Sequence, residues 1–150
     1  MWSDTLLAAE RAHLVRLLAW GAASVVAGTA LLAVVLVARR GTPGGSALLT
    51  SFAIQCAAWG AIDLAIAGFA WRGLALRDAA GATKLDRLLW LNTGLDVGYV
   101  AVGVALAVVG WQLGRRLGLV GAGLGVVVQG LALLILDAHF IAVLDRLAVR

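Results

Sequence analysis

Four long apolar stretches alternate with short polar breaks along this chain. They run over about residues 17–38, 47–71, 88–111 and 119–144. Each is near or above the ~20 residues that carry a helix across the hydrocarbon core of a bilayer. The pattern predicts four membrane-spanning helices, because a helix satisfies its own backbone hydrogen bonds in lipid. Trp20, Trp71, Trp90 and Trp111 fall near span ends, where amphipathic rings favour the headgroup level. Ahead of the first span, residues 3–16 set Leu6, Leu7 and Leu14 against Glu10, Arg11 and His13. This is an amphipathic start, capped by Ser3 or Asp4, expected to project from the membrane or lie along it.

The breaks carry turn chemistry. Arg39-Arg40-Gly41-Thr42-Pro43-Gly44-Gly45 reads as a tight turn holding the only proline, with Ser46 capping the second helix. Gly114-Arg115-Arg116 is equally short. A longer link covers about residues 72–87, and Thr83-Lys84-Leu85-Asp86 within it reads as a capping box that starts the third helix.

Composition agrees with this pattern. The 150 residues are 63% hydrophobic and 13% charged, with mean hydropathy +1.00. A soluble domain carries roughly twice that share of charge. The expectation is a single all-α membrane domain over residues 1–150, a four-helix transmembrane bundle. One cysteine, Cys56, excludes an intrachain disulfide and any multi-cysteine metal cluster. The net charge of +4 is scattered among helix ends, which argues against nucleic acid as a partner. No cleavable signal peptide is expected, since Asp4, Glu10, Arg11 and Arg16 interrupt the start and the following apolar run is too long for a signal core. Eight Lys/Arg fall on the face that holds both termini and four, Arg39, Arg40, Arg115 and Arg116, on the other. By the positive-inside rule both termini are cytoplasmic.

The chain also hints at two tandem hairpins of the same orientation. Gln55 precedes Asp63 by eight residues and Gln129 precedes Asp137 by eight, an offset of 74 between the pairs; the arginine pairs recur at 76.

Three acids lie inside the spans: Asp63, Asp96 and Asp137. A carboxylate in hydrocarbon costs at least a few kcal/mol, so it is rarely there without a partner or a task. Each is nine residues from a flanking arginine, Arg72, Arg87 or Arg146. At the helical rise this puts all three ~13 Å below one face. Asn92, Asp96, Tyr99 and Gly103 follow one helical face of the third span, and Gly94, Gly98 and Ala101 another. A helix with a polar and a small-residue face is expected at the centre of the bundle. Gln55 and Gln129 define a second layer, ~25 Å from the same face. The first span offers only Ser24 and Thr29 and is expected to cover the bundle.

Two readings of the acids stand side by side. In one, they form an ion, proton or polar-ligand site, since three carboxylates in a layer call for a cation or a proton between them. In the other, they hydrogen-bond to Asn92, Tyr99, glutamines or backbone and fix helix register. Oxygen ligands from the three acids and Asn92, with nitrogen from His139, suit a hard cation, but His139 points to a different face of its helix from Asp137. No metal or cofactor is therefore expected. His139 reads as interfacial or hydrogen-bonded and His13 as exposed. Gly121-Ala122-Gly123-Leu124-Gly125 lacks the lysine of a phosphate loop and reads as helix packing. No nucleophile has a histidine in its layer, which disfavours an enzyme.

Three stretches resemble an uncharacterised family of small bacterial four-helix integral membrane proteins. They are Gln55-x-x-x-Trp59 running to Asp63, Leu91-Asn92-Thr93-Gly94-Leu95-Asp96-Val97-Gly98-Tyr99, and Gln129-Gly130-Leu131-x-Leu133-Leu134-x-x-Asp137. The resemblance covers most of residues 14–145. It implies the same topology, a bacterial plasma membrane, and Asn as an acceptable residue at position 63; it brings no activity. The leading expectation is a protein that binds or conducts a cation, proton or small polar ligand through Asp96, Asn92 and Tyr99, with Asp137, Asp63, Gln55 and Gln129 as partners. The alternative is a non-catalytic accessory subunit of a larger membrane complex. GxxxG spacings at Gly94/Gly98 and Gly110/Gly114 permit a homo-oligomer or contact with other subunits.

Overall fold

The computed structural model describes residues 2–38 and 47–148. They form α1 (Trp2–Ala38), α2 (Ala47–Arg72), α3 (Ala79–Gln112) and α4 (Leu117–Ala148). All four helices are long and apolar enough to cross a membrane by length and composition. The predicted turn at 39–45 and the Ser46 cap lie outside the described residues.

α1 packs along α2, and α3 along α4, as two antiparallel hairpins. α4 also lies against α2 and, more lightly, α1, whereas α3 makes no backbone-level contact with α1 or α2. The centre of the bundle is therefore α4 and not the third helix. Glycines explain the difference. α4 carries them toward two neighbours: a Cβ on Gly123 would run into the Gly103 carbonyl of α3, and one on Gly121 into the Leu48 carbonyl of α2. On α3, Gly94 and Gly98 have nothing within 4 Å of where a Cβ would stand. Small residues permit close approach, and the helix that has them toward more than one neighbour takes the middle.

The amphipathic start is the first part of α1 and packs into the bundle instead of standing apart. Leu6 joins Leu85 and Leu89 of α3 with Phe140 and Ile141 of α4 in one apolar cluster. The Trp2 indole donates to the Leu147 carbonyl at 3.3 Å, so the start of α1 lies beside the end of α4. Ser3 and Asp4 fall inside the first turn of α1.

The third helix begins a turn earlier than its sequence predicts. Asp78 is the N-cap, accepting from the Gly81 amide at 2.7 Å, and the Thr83 hydroxyl donates within the helix to the Ala79 carbonyl at 2.9 Å. Ala79 and Ala80 are strong helix formers, so the nearer acid captures the cap. The link between α2 and α3 thereby shortens to residues 73–78. Between α3 and α4, Gly114 (φ 74°) and Arg115 (φ 56°) turn left-handed, and the Arg116 amide donates to the Gly110 carbonyl at 2.7 Å.

The bundle has two unlike halves. In the half where α1 ends and α2 begins (the turn half), backbones touch: a Cβ on Gly28 would come within 2.7 Å of the Ala53 carbonyl, and one on Gly103 within 2.7 Å of the Gly123 carbonyl. In the half that holds the start of α1 and the end of α4 (the terminal half), a cavity opens between α2 and α3.

Candidate functional site: an acid-lined cavity

The terminal half holds a cavity of about 510 Å³, walled by α2 and α3, floored by Leu133, Asp137 and Phe140 of α4, and closed on one side by Glu10, His13, Leu14 and Leu17 of α1. Asp63, Asp96 and Asp137 all line it and are 2%, 4% and 6% exposed. Each sits on the buried stripe of its helix. On α2 that stripe is Ala53, Cys56, Gly60, Asp63 and Ala67, stepping by three and four. Helical periodicity thus turns each carboxylate inward.

The three acids are not equivalent. Asp137 Oδ1 lies 3.4 Å from His13 Nε2, and the imidazole stacks on Phe140 at 4.5 Å. Asp63 and Asp96 each keep one buried carboxyl oxygen, Oδ2, without a hydrogen-bond partner among the described residues, and His13 Nδ1 is likewise unpartnered. Native proteins leave few buried polar groups unpaired, and each one calls for an explanation.

Asn92 and Tyr99 also line the cavity. The Tyr99 ring meets Trp59 of α2 edge to face at 4.8 Å, and this pair marks the inner end. At the terminal end, Arg77 of the 73–78 link donates twice to Glu10, from Nη2 to Oε1 at 2.6 Å and from Nε to Oε2 at 2.9 Å. Those bonds favour the charged guanidinium and raise its pKa further above its ordinary value. Sideways, the cavity reaches the surface between α2 and α3, past exposed Ile62, Ile66 and Phe69 on one helix and Leu88 and Leu95 on the other. The interior is acidic and the rim is apolar.

Gln55 and Gln129 do not line the cavity. Gln129 is 2% exposed, accepts from the Trp20 indole at 2.9 Å and donates to the Ser24 hydroxyl at 3.3 Å, tying α4 to α1. Gln55 packs its Cβ against Gly125. His139 is exposed. No three His, Cys, Asp or Glu side chains among the described residues gather closely enough to hold a metal ion.

Sequence reading missed Glu10, His13 and Arg77. His13, expected to be exposed, is 6% exposed. The signal was available: Leu6, Glu10, His13, Leu17, Gly21, Ser24 and Gly28 step by three or four and form one buried stripe of α1. Arg77 had no such periodicity, because it lies between helices.

Fold and site together define a class: a bundle of four apolar helices with a buried acidic cavity. The chain belongs to a family of unknown function, DUF6992, whose model matches residues 16–138. The matched stretch holds all three cavity aspartates and stops short of Glu10 and His13. No curated protein and no solved structure matches the chain.

Proposed function

We propose that this chain is a small integral protein of a bacterial inner membrane, with both termini cytoplasmic, that binds a cationic polar ligand in the acid-lined cavity. The observation that carries the reading is the pair of unpartnered buried carboxyl oxygens on Asp63 and Asp96. Four acids line the cavity against one arginine and one histidine. Arg77 is engaged with Glu10 and His13 faces Asp137, which leaves Asp63 and Asp96 without a counter-charge. A cation supplies it. In this reading Asn92, Asp96 and Tyr99 of the Asn-x-Gly-Leu-Asp-x-x-Tyr motif form one wall, with Asp63 and Asp137 opposite. Binding is favoured over conduction because the lining stops at Trp59 and Tyr99, and the glycine-packed half begins beyond them.

The test compares wild type with Asp96→Asn in lipid discs, reading methylammonium binding by calorimetry. Charge-assisted hydrogen bonds contribute roughly 1.5–3 kcal/mol, so the substitution is expected to weaken binding on the order of tenfold or more. Equal binding by a folded variant removes Asp96 from the site. The accessory-subunit reading draws on a different observation, the uncovered α3 face at Gly94 and Gly98. Co-purification of a larger complex in mild detergent, lost in Gly98→Leu, would favour it.

A further inference from the structure

The shape of the cavity narrows the chemistry of its ligand, given that it binds a cation at all. We infer that the site takes a lipophilic primary ammonium, a protonated amine on an apolar tail with no phosphate attached, admitted sideways from the bilayer between α2 and α3.

Four observations carry this. First, size: about 510 Å³ falls within the roughly 300–1,000 Å³ of organic-ligand pockets, and the carboxylates do not gather as metal ligands do. Second, hydrogen bonding: Asp63 Oδ2 and Asp96 Oδ2 are buried acceptors without donors, and the N–H groups of a primary ammonium satisfy them as charge-assisted bonds where a quaternary nitrogen has none to give. The Trp59 and Tyr99 rings line the inner end, and an aromatic ring stabilises a cation set against its face. Third, the route: Ile62, Ile66 and Phe69 of α2 are 47%, 56% and 79% exposed while lining the same cavity, and Leu88 and Leu95 flank the gap from α3. In a membrane this opening faces acyl chains, so a tail rests there at no cost while the nitrogen reaches the acids. Fourth, selectivity: the one guanidinium of the site, Arg77, is already paired with the Glu10 carboxylate through Nε and Nη2, so a phosphate entering with the amine meets carboxylates and no uncompensated cation.

Equilibrium binding of radiolabelled decylamine to the protein in phosphatidylcholine nanodiscs, with empty nanodiscs as background, tests the inference. Saturable binding of one amine per chain is expected. Because each methylene buried in the bilayer adds to the free energy that holds the amine there, decylamine should bind at least about tenfold more tightly than methylammonium. It should be displaced by unlabelled decylamine and not by decanol or lysophosphatidylethanolamine. Asp63→Asn/Asp96→Asn should weaken it about tenfold or more. Ile66→Trp leaves every acid in place, keeps the test usable if the double variant does not fold, and should weaken decylamine much more than methylammonium. If methylammonium binds as tightly as decylamine and Ile66→Trp weakens both alike, the lateral route and the tail are overturned while the cation site stands. Displacement by lysophosphatidylethanolamine overturns the exclusion of phosphate. Displacement by decanol, or no saturable binding of either amine to folded wild type, overturns both the inference and the cation site.

Discussion

In the turn half, backbones meet within each hairpin and between α4 and α2; in the terminal half, a cavity stands between α2 and α3, whose Trp59 and Tyr99 rings meet at its inner end. Gly28, Gly103, Gly121 and Gly123 have no room for a Cβ, whereas Gly68, Gly94 and Gly98 have nothing within 4 Å of one. Lipid tails are as apolar as leucine, so helices in a bilayer gain little from apolar burial and associate through close packing and interhelical hydrogen bonds. The glycine-packed half supplies that packing. The other half holds the cavity, and all of the cavity's charged groups lie there. Stability and chemistry are divided between the two ends of the same helices.

Overfilling the packed half should break this division most strongly. Gly121→Val drives a branched side chain into the Leu48 carbonyl, and an overpacked site costs about 3 kcal/mol or more when backbone must move. Gly94→Val, the same change in open space, should leave the unfolding midpoint in detergent nearly unmoved. If both variants unfold alike, the halves are not distinct.

The next largest effect belongs to the ionic tie at the terminal end of the cavity. Arg77→Met leaves Glu10, whose side chain is 7% exposed, as a buried charge without its partner. Loss of one member of such a pair costs on the order of 3 kcal/mol, and Arg77→Lys should recover only part of it because an ammonium cannot match the two-pronged contact. Chemical denaturation in detergent measures both. A loss below about 0.5 kcal/mol would show the tie to be a surface pair.

Asp96→Asn should act in the opposite direction on stability. Removing an unpartnered carboxylate while keeping its shape is expected to stabilise the empty protein by about 1 kcal/mol, as it weakens cation binding. Thermal melts with and without methylammonium separate the two effects. A destabilised variant would place Asp96 among the structural polar groups.

The smallest change sharpens the boundary between the halves. Gln129→Leu removes the bond from Trp20 and the contact with Ser24, worth about 0.6 kcal/mol in a membrane bundle. It should leave ligand affinity untouched, because Gln129 does not line the cavity.

The fold was legible because hydropathy is a one-dimensional signal. Four apolar runs became four helices, and the three aspartates met because each lies on the buried stripe of its own helix. The central helix was not legible in the same way. Gly94 and Gly98 of α3 look as suited to close packing as Gly121 and Gly123 of α4, and spacing along one helix does not say which neighbour arrives. The cap of α3 was misplaced because Asp78 and Thr83 are both acceptable cap residues, and the helix-forming Ala79 and Ala80 between them read as part of the link. Glu10 and His13 were overlooked for a different reason. They lie ahead of the apolar run, where charge reads as a solvated start, yet they continue the stripe of Leu17, Gly21 and Ser24. Following that stripe back through the polar start would have recovered them. Arg77 was beyond reach of any periodicity, since its partner is 67 positions away.

The 73–78 link has a mechanical consequence. It is the one covalent strap between two hairpins that otherwise meet through α4, and it runs from the end of α2 to the start of α3. Fully stretched, such a strap reaches roughly 20 Å. Its contour length therefore sets a ceiling on how wide the α2–α3 gap can spring, whatever pushes the helices apart. Two added glycines would raise that ceiling and two deleted residues would lower it, with no carboxylate altered.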